Sequence, residues 1–102
     1  MALDRYITRG VGTVLTYGQK DVGSAGTAEI LVADAECFLI YIKAKESNTG
    51  NIFVGDSDVD SGTGYILTTT CPEVILKFNH NSDNIYLDAA TDGEGVSYIL
   101  IL

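Results

Sequence analysis

At 102 residues and 10.9 kDa the chain has room for one domain with a single core, and 46% hydrophobic against 20% charged residues excludes a disordered polymer. A net charge of −8 with six Lys and Arg in all excludes a direct nucleic-acid binder, because neutralising phosphates requires clustered basic side chains. No apolar run approaches the roughly 20 residues that span a bilayer, and the start MALDRYITRG lacks the apolar stretch of a secretory signal, so no membrane is expected and synthesis in the cytoplasm is.

Charge is unevenly placed: residues 1–20 hold Arg5, Arg9 and Lys20 against Asp4, a balance of +2 that leaves −10 on the remainder. This stretch reads as an extended N-terminal arm that includes a first strand, Thr13 to Tyr17. Val22-Gly23-Ser24-Ala25-Gly26-Thr27 is small and Gly-rich, the composition of a flexible linker over 21–27. From residue 28 onward short β-branched and aromatic runs alternate with Gly, Asn, Asp and Ser clusters, which is how strands and turns are written. They are Ala28 to Val32, Cys37 to Ala44, Asn51 to Val54, Tyr65 to Leu67, Val74 to Phe78, Ile85 to Asp88 and Val96 to Leu102. About eight short antiparallel strands at this spacing predict an all-β chain, a single small β-sandwich over 28–102, jelly-roll-like, with an immunoglobulin-like strand order left open. Asn48-Thr49-Gly50-Asn51 and Thr91-Asp92-Gly93-Glu94-Gly95 supply turn residues that tolerate positive φ.

Alternation separates the strands. Val74, Leu76 and Phe78 lie on one face of their strand while Lys77 and Asn79 lie on the other, the pattern of a sheet with one solvated side. Cys37-Phe38-Leu39-Ile40-Tyr41-Ile42 and Val96-Ser97-Tyr98-Ile99-Leu100-Ile101-Leu102 are apolar on both faces. A two-layer sandwich covers one face of each sheet, so both strands need a further cover: the N-terminal arm, a sister subunit or another protein. Leu39, Tyr41, Tyr98, Leu100 and Leu102 are the candidate subunit-interface residues of a homo-oligomer, for which a trimer is one candidate state.

Catalytic apparatus is sparse. His80 sits in a polar turn, Asn79 to Asn84, with Asp83 as a sequence neighbour and no nucleophile marked beside it. Cys37 and Cys71 read as buried structural thiols rather than a redox pair, and the sequence leaves open whether they bridge. Gly10-Val11-Gly12 and Gly62-Thr63-Gly64 lack the helix and Lys of a phosphate cradle. Asp56, Asp58 and Asp60 imitate the opening of a calcium loop, but Ser61 stands where the glycine belongs and Leu67 where the bidentate Glu belongs. The expectation is therefore no enzyme, no cofactor and no metal, with those three aspartates the nearest approach to a calcium site.

The stretch Asn48-Thr49-Gly50-Asn51-Ile52-Phe53-Val54-Gly55-Asp56-Ser57-Asp58-Val59, continued by Gly64-Tyr65-Ile66-Leu67, resembles a pattern of small bacteriophage virion structural proteins. Gly26 to Leu31, Asn84 to Ala89 and Gly93 to Val96 resemble their flanking strands. Thr68-Thr69-Thr70-Cys71-Pro72-Glu73 departs from the Pro-Gly turn of that pattern. The resemblance implies a β-sandwich on the virion surface: a head decoration or cement protein, or a tail, collar or fibre-base accessory. It implies as partner the major capsid protein or another virion protein. Within that setting Arg5, Tyr6, Ile7, Arg9, Tyr17 and Lys20 are the candidate partner-binding residues of the arm. A different reading, a receptor- or carbohydrate-binding sandwich, would use Tyr41, Tyr65, Tyr86 or Tyr98 as a stacking platform.

Overall fold

A computed structural model describes residues 15–32, 39–77 and 85–101. They form eight strands: β1 (Leu15–Asp21), β2 (Glu29–Ile30), β3 (Leu39–Ala44), β4 (Ile52–Gly55), β5 (Tyr65–Leu67), β6 (Glu73–Lys77), β7 (Tyr86–Ala89) and β8 (Gly95–Ile101). One four-stranded sheet runs β1-β8-β3-β6 and the other β2-β7-β4-β5. Every pairing is antiparallel. The couples β1·β8, β2·β7, β3·β6 and β4·β5 are those of a long hairpin rolled on itself, and β3·β8 and β4·β7 complete the two sheets. This is the strand order of an eight-stranded jelly roll.

Period-two alternation places the core. From the first sheet β3 sends Ile40, Ile42 and Ala44 inward and β8 sends Val96 and Leu100. Ile52, Val54, Leu67, Leu87 and Ala89 face them from the second. Covering each large aliphatic side chain contributes roughly 1.5–3 kcal/mol of transfer free energy. Val74 and Leu76 of β6 join this cluster while Ile75 and Lys77 turn away.

Two expected boundaries change. β1 is an integral edge strand, paired with β8 from Leu15↔Ile101 to Asp21↔Gly95, so Leu15 to Asp21 belong to the sandwich, and residues 1–14 of the expected arm lie outside the described residues. Segment 21–27 is held rather than a flexible linker. Val22 is fully buried, its amide donates to the Glu94 carbonyl at 2.9 Å, and its carbonyl accepts from Gly93 at 2.8 Å. Gly26 takes φ 91°, a left-handed conformation that glycine adopts at little cost. At the β1–β8 junction crowding requires Gly95, where a methyl group would overlap the carbonyl oxygen of Lys20.

One end of the sandwich is clasped by polar side chains. Buried Asn48 donates from Nδ2 to the Gly95 carbonyl at 2.8 Å and accepts from the Gly95 amide at 3.3 Å. Glu94 accepts from the Thr49 amide at 2.7 Å, the Thr49 hydroxyl at 2.8 Å and the Gly50 amide at 2.9 Å. Thus the Asn-Thr-Gly and Gly-Glu-Gly elements of the sequence are two halves of one loop contact. The turn that departs from the phage pattern is closed by its own threonine: Thr68 Oγ1 accepts from the Cys71 amide at 2.9 Å, and the Thr68 amide donates to the Cys71 carbonyl at 3.1 Å.

Candidate interaction face

The two doubly apolar strands, β3 and β8, are neighbours in one sheet, and register sets their outward residues side by side. Tyr17, Ile99, Tyr41 and Ile75 form one row across β1, β8, β3 and β6; Leu15, Ile101, Leu39 and Lys77 form the next. Tyr17 is 74% exposed, Leu15 and Ile75 55%, Ile99 40% and Tyr41 39%. A third row, Gln19, Ser97, Lys43 and Glu73, is polar. Between Tyr41, Ile75 and Ile99 the face dips into a shallow depression of about 250 Å³ rimmed by Lys43, Glu73 and Ser97.

The outward face of the second sheet is treated differently. Phe53 points away from the core, yet it is 5% exposed, because the loop from Asp56 to Gly64 folds back over it. Val59 of that loop is buried and packs so tightly on Gly55 and Gly64 that a Cβ at Gly64 would lie 2.6 Å from Val59 Cγ2 and 2.7 Å from Phe53 Cβ. On the neighbouring strand, outward-pointing Asp88 is buried under the β1–β2 connection. Its Oδ1 accepts from the Gly26 amide at 2.8 Å and the Ala89 amide at 2.8 Å. Asp92 holds the same connection by accepting from the Ala25 amide at 2.7 Å. Edge strand β5 still shows Tyr65 and Ile66.

Charge follows the same division. Lys20, Lys43 and Lys77 lie on strands of the first sheet and Lys45 directly follows β3. Asp56, Asp58, Asp60, Asp88, Asp92 and Glu94 belong to the second sheet or the loops at its strand ends. Lys20 pairs with Glu29 at 2.8 Å and Lys45 with Asp21 at 2.6 Å. The Lys20 ammonium and the Gly23 amide hold the Glu29 carboxyl below its ordinary pKa. Donation from the Gly50 and Thr49 amides does the same to Glu94.

Of the expected interface residues, Leu39 and Tyr41 lie on the exposed face, whereas Leu100 and Tyr98 lie on the opposite side of β8. Leu100 is fully buried in this chain's own core, and the Tyr98 ring packs across Gly18 on the inner side of β1. Neither side chain is on the exposed face, which holds Ile99, Ile101, Ile75 and Leu15 instead. Of the arm residues, Tyr17 is on the face and Lys20 is engaged with Glu29; Arg5, Tyr6, Ile7 and Arg9 lie outside the described residues, as do Leu102, Cys37 and His80. Cys71 is an exposed free thiol rather than a buried one.

The three loop aspartates do not converge. Asp56 Oδ1 accepts from the Asp58 amide at 3.0 Å, and Asp60 Oδ1 accepts from the Gly62 amide at 2.8 Å and the Thr63 hydroxyl at 3.1 Å. The Asp56 and Asp60 carboxylates each serve their own turn, and among the described residues no group of three or more His, Cys, Asp or Glu is placed to hold a metal ion. The tyrosines do not form one platform either: Tyr41 lies on the exposed first-sheet face, Tyr98 on its inner side, and Tyr65 and Tyr86 on the second sheet. No protein-family model, no curated protein and no solved structure matches the chain.

Proposed function

We propose that the chain is a non-enzymatic structural protein of a phage virion, a small jelly roll of the head-decoration or cement type that stabilises an assembled shell. The observation that carries this reading is the exposed apolar face of β1-β8-β3-β6 in a molecule that covers Phe53 and Asp88, on the two central strands of the opposite sheet, with its own loops. Such a face is a surface for association. The resemblance of Asn48 to Leu67 to small virion proteins supplies the setting.

A rigid sandwich that binds only the assembled lattice favours that lattice by mass action, and many identical sites make the gain collective. Residues 1–14, with Arg5, Tyr6, Ile7 and Arg9, are the segment assigned to the shell, where the two arginines meet an acidic capsid surface. Protein stoichiometry of purified particles tests the reading. Hundreds of copies per particle support a decoration protein; a few copies indicate a tail, collar or fibre-base accessory, and absence from particles overturns the virion assignment. Removing residues 1–12 should sharply lower particle occupancy, and unchanged occupancy would refute the role given to the arm.

A further inference from the structure

We infer that the exposed face of β1-β8-β3-β6 is occupied by the same face of a second copy, giving a two-fold dimer of packed sheets. The inference deepens the structural role proposed above by naming the occupant of its association surface. The shell contact is left to residues 1–14.

The face is self-complementary. With a two-fold axis parallel to the strands and midway between β8 and β3, β1 of one copy lies over β6 of the other and β8 over β3. Row then meets row. Tyr17 falls opposite Ile75 of the second copy, Ile99 opposite its Tyr41, and Ile101 opposite its Leu39, all read from the register of the sheet. The charged positions also avoid their like: Lys43 faces Ser97, Glu73 faces Gln19, and the aliphatic stem of Lys77 lies over Leu15. The twist of each sheet tilts this axis by about 15° from the mean strand direction, so that the sheets cross at about 30° with apolar inner faces about 10 Å apart, as within a sandwich.

Area and charge both suit a second copy. The exposed parts of Leu15, Tyr17, Tyr41, Ile75 and Ile99 present on the order of 500 Å² of mainly apolar surface. The polar row extends this toward the roughly 800 Å² per partner of a standard interface. Each chain carries −8, yet the contact face holds Lys43 and Lys77 against Glu73. The aspartates of the β4–β5 loop and of the β7–β8 side point away from it, so face-to-face pairing separates the acidic surfaces. Residues 1–14 offer a poorer occupant: Arg5 and Arg9 against Asp4 would bring a net positive segment to a net positive face.

Sedimentation equilibrium of the full chain from about 1 to 100 μM tests the inference, with circular dichroism as the check on folding. The intact chain should sediment as two copies of 10.9 kDa, and Ile99→Arg should weaken association at least about 100-fold, a burden typical of a charge placed at an interface centre. Ile75→Arg, on the edge strand, gives a second reading should Ile99→Arg fail to fold. A mass of one chain throughout overturns the dimer and leaves the face to residues 1–14 or to a different protein. A dimer that survives both substitutions overturns it as well. None of these outcomes decides the virion assignment, which rests on the composition of particles.

Discussion

The two outward faces of this jelly roll begin from similar material and end differently. Phe53 and Ile66 on the second sheet are as apolar as Tyr41 and Ile99 on the first. Phe53 is buried beside the loop whose Val59 packs on Gly55 and Gly64, and Asp88 lies beneath Gly26, with Ile66 on the edge strand left exposed, whereas Tyr17, Ile75 and Ile99 all remain open to solvent. The contrast lies in the β4–β5 and β1–β2 connections, which lie over the outward side of the second sheet. A buried outward residue therefore reports a loop that contributes to folding.

The contrast can be broken first at its covered side. Phe53→Ala removes the buried side chain beside the β4–β5 loop, and a loss of about 3–5 kcal/mol is expected in chemical unfolding, as for a core aromatic. Asp88→Ala leaves the Gly26 and Ala89 amides without their acceptor under the β1–β2 connection and should cost about 1–3 kcal/mol by the same measurement. Amide exchange at Gly26 should rise with it. A cost near zero for either variant would mean that the loops merely lie over the second sheet.

Acid should loosen this side next. Glu29 and Glu94, which pin Gly23, Thr49 and Gly50, have folded-state pKa values below the ordinary 4.5. Above about pH 4.5 their contribution is complete; as pH falls through the lowered folded values the unfolded chain binds the extra protons and stability declines. Glu94→Gln should flatten the acid limb of a plot of Tm against pH, leaving the neutral region little changed in slope. The smallest effect on stability belongs to the exposed face, where Ile99→Arg should shift unfolding by no more than about 0.5 kcal/mol while abolishing association.

Much of this was legible in the sequence. Turn clusters rich in Gly, Asn and Asp separated most of the eight strands, with Tyr65–Leu67 at its observed limits, and the doubly apolar runs identified the two central strands of the exposed sheet. The phase of alternation in β8 was not legible: when both faces are apolar, nothing in Val96 to Leu102 distinguishes Tyr98 and Leu100 from Ile99 and Ile101, and a one-residue shift exchanges the faces. Registry with β3 and β1 resolves it. Nor could Gly23 to Gly26 be separated from a flexible linker, since small residues suit both free chain and a turn whose amides are held by carboxylates. The acceptors of Ala25 and Gly26, Asp92 and Asp88, lie more than sixty residues away.

The most direct test of a face kept for association is hydroxyl-radical footprinting of the tyrosines in the wild-type chain at high concentration, compared with the Ile99→Arg variant. Tyr17 and Tyr41 should be oxidised several-fold more slowly in the wild type, with Tyr65 on the second sheet unchanged as the internal reference. Equal oxidation of Tyr17 and Tyr41 in the two samples would contradict the assignment of β1-β8-β3-β6 as the association surface.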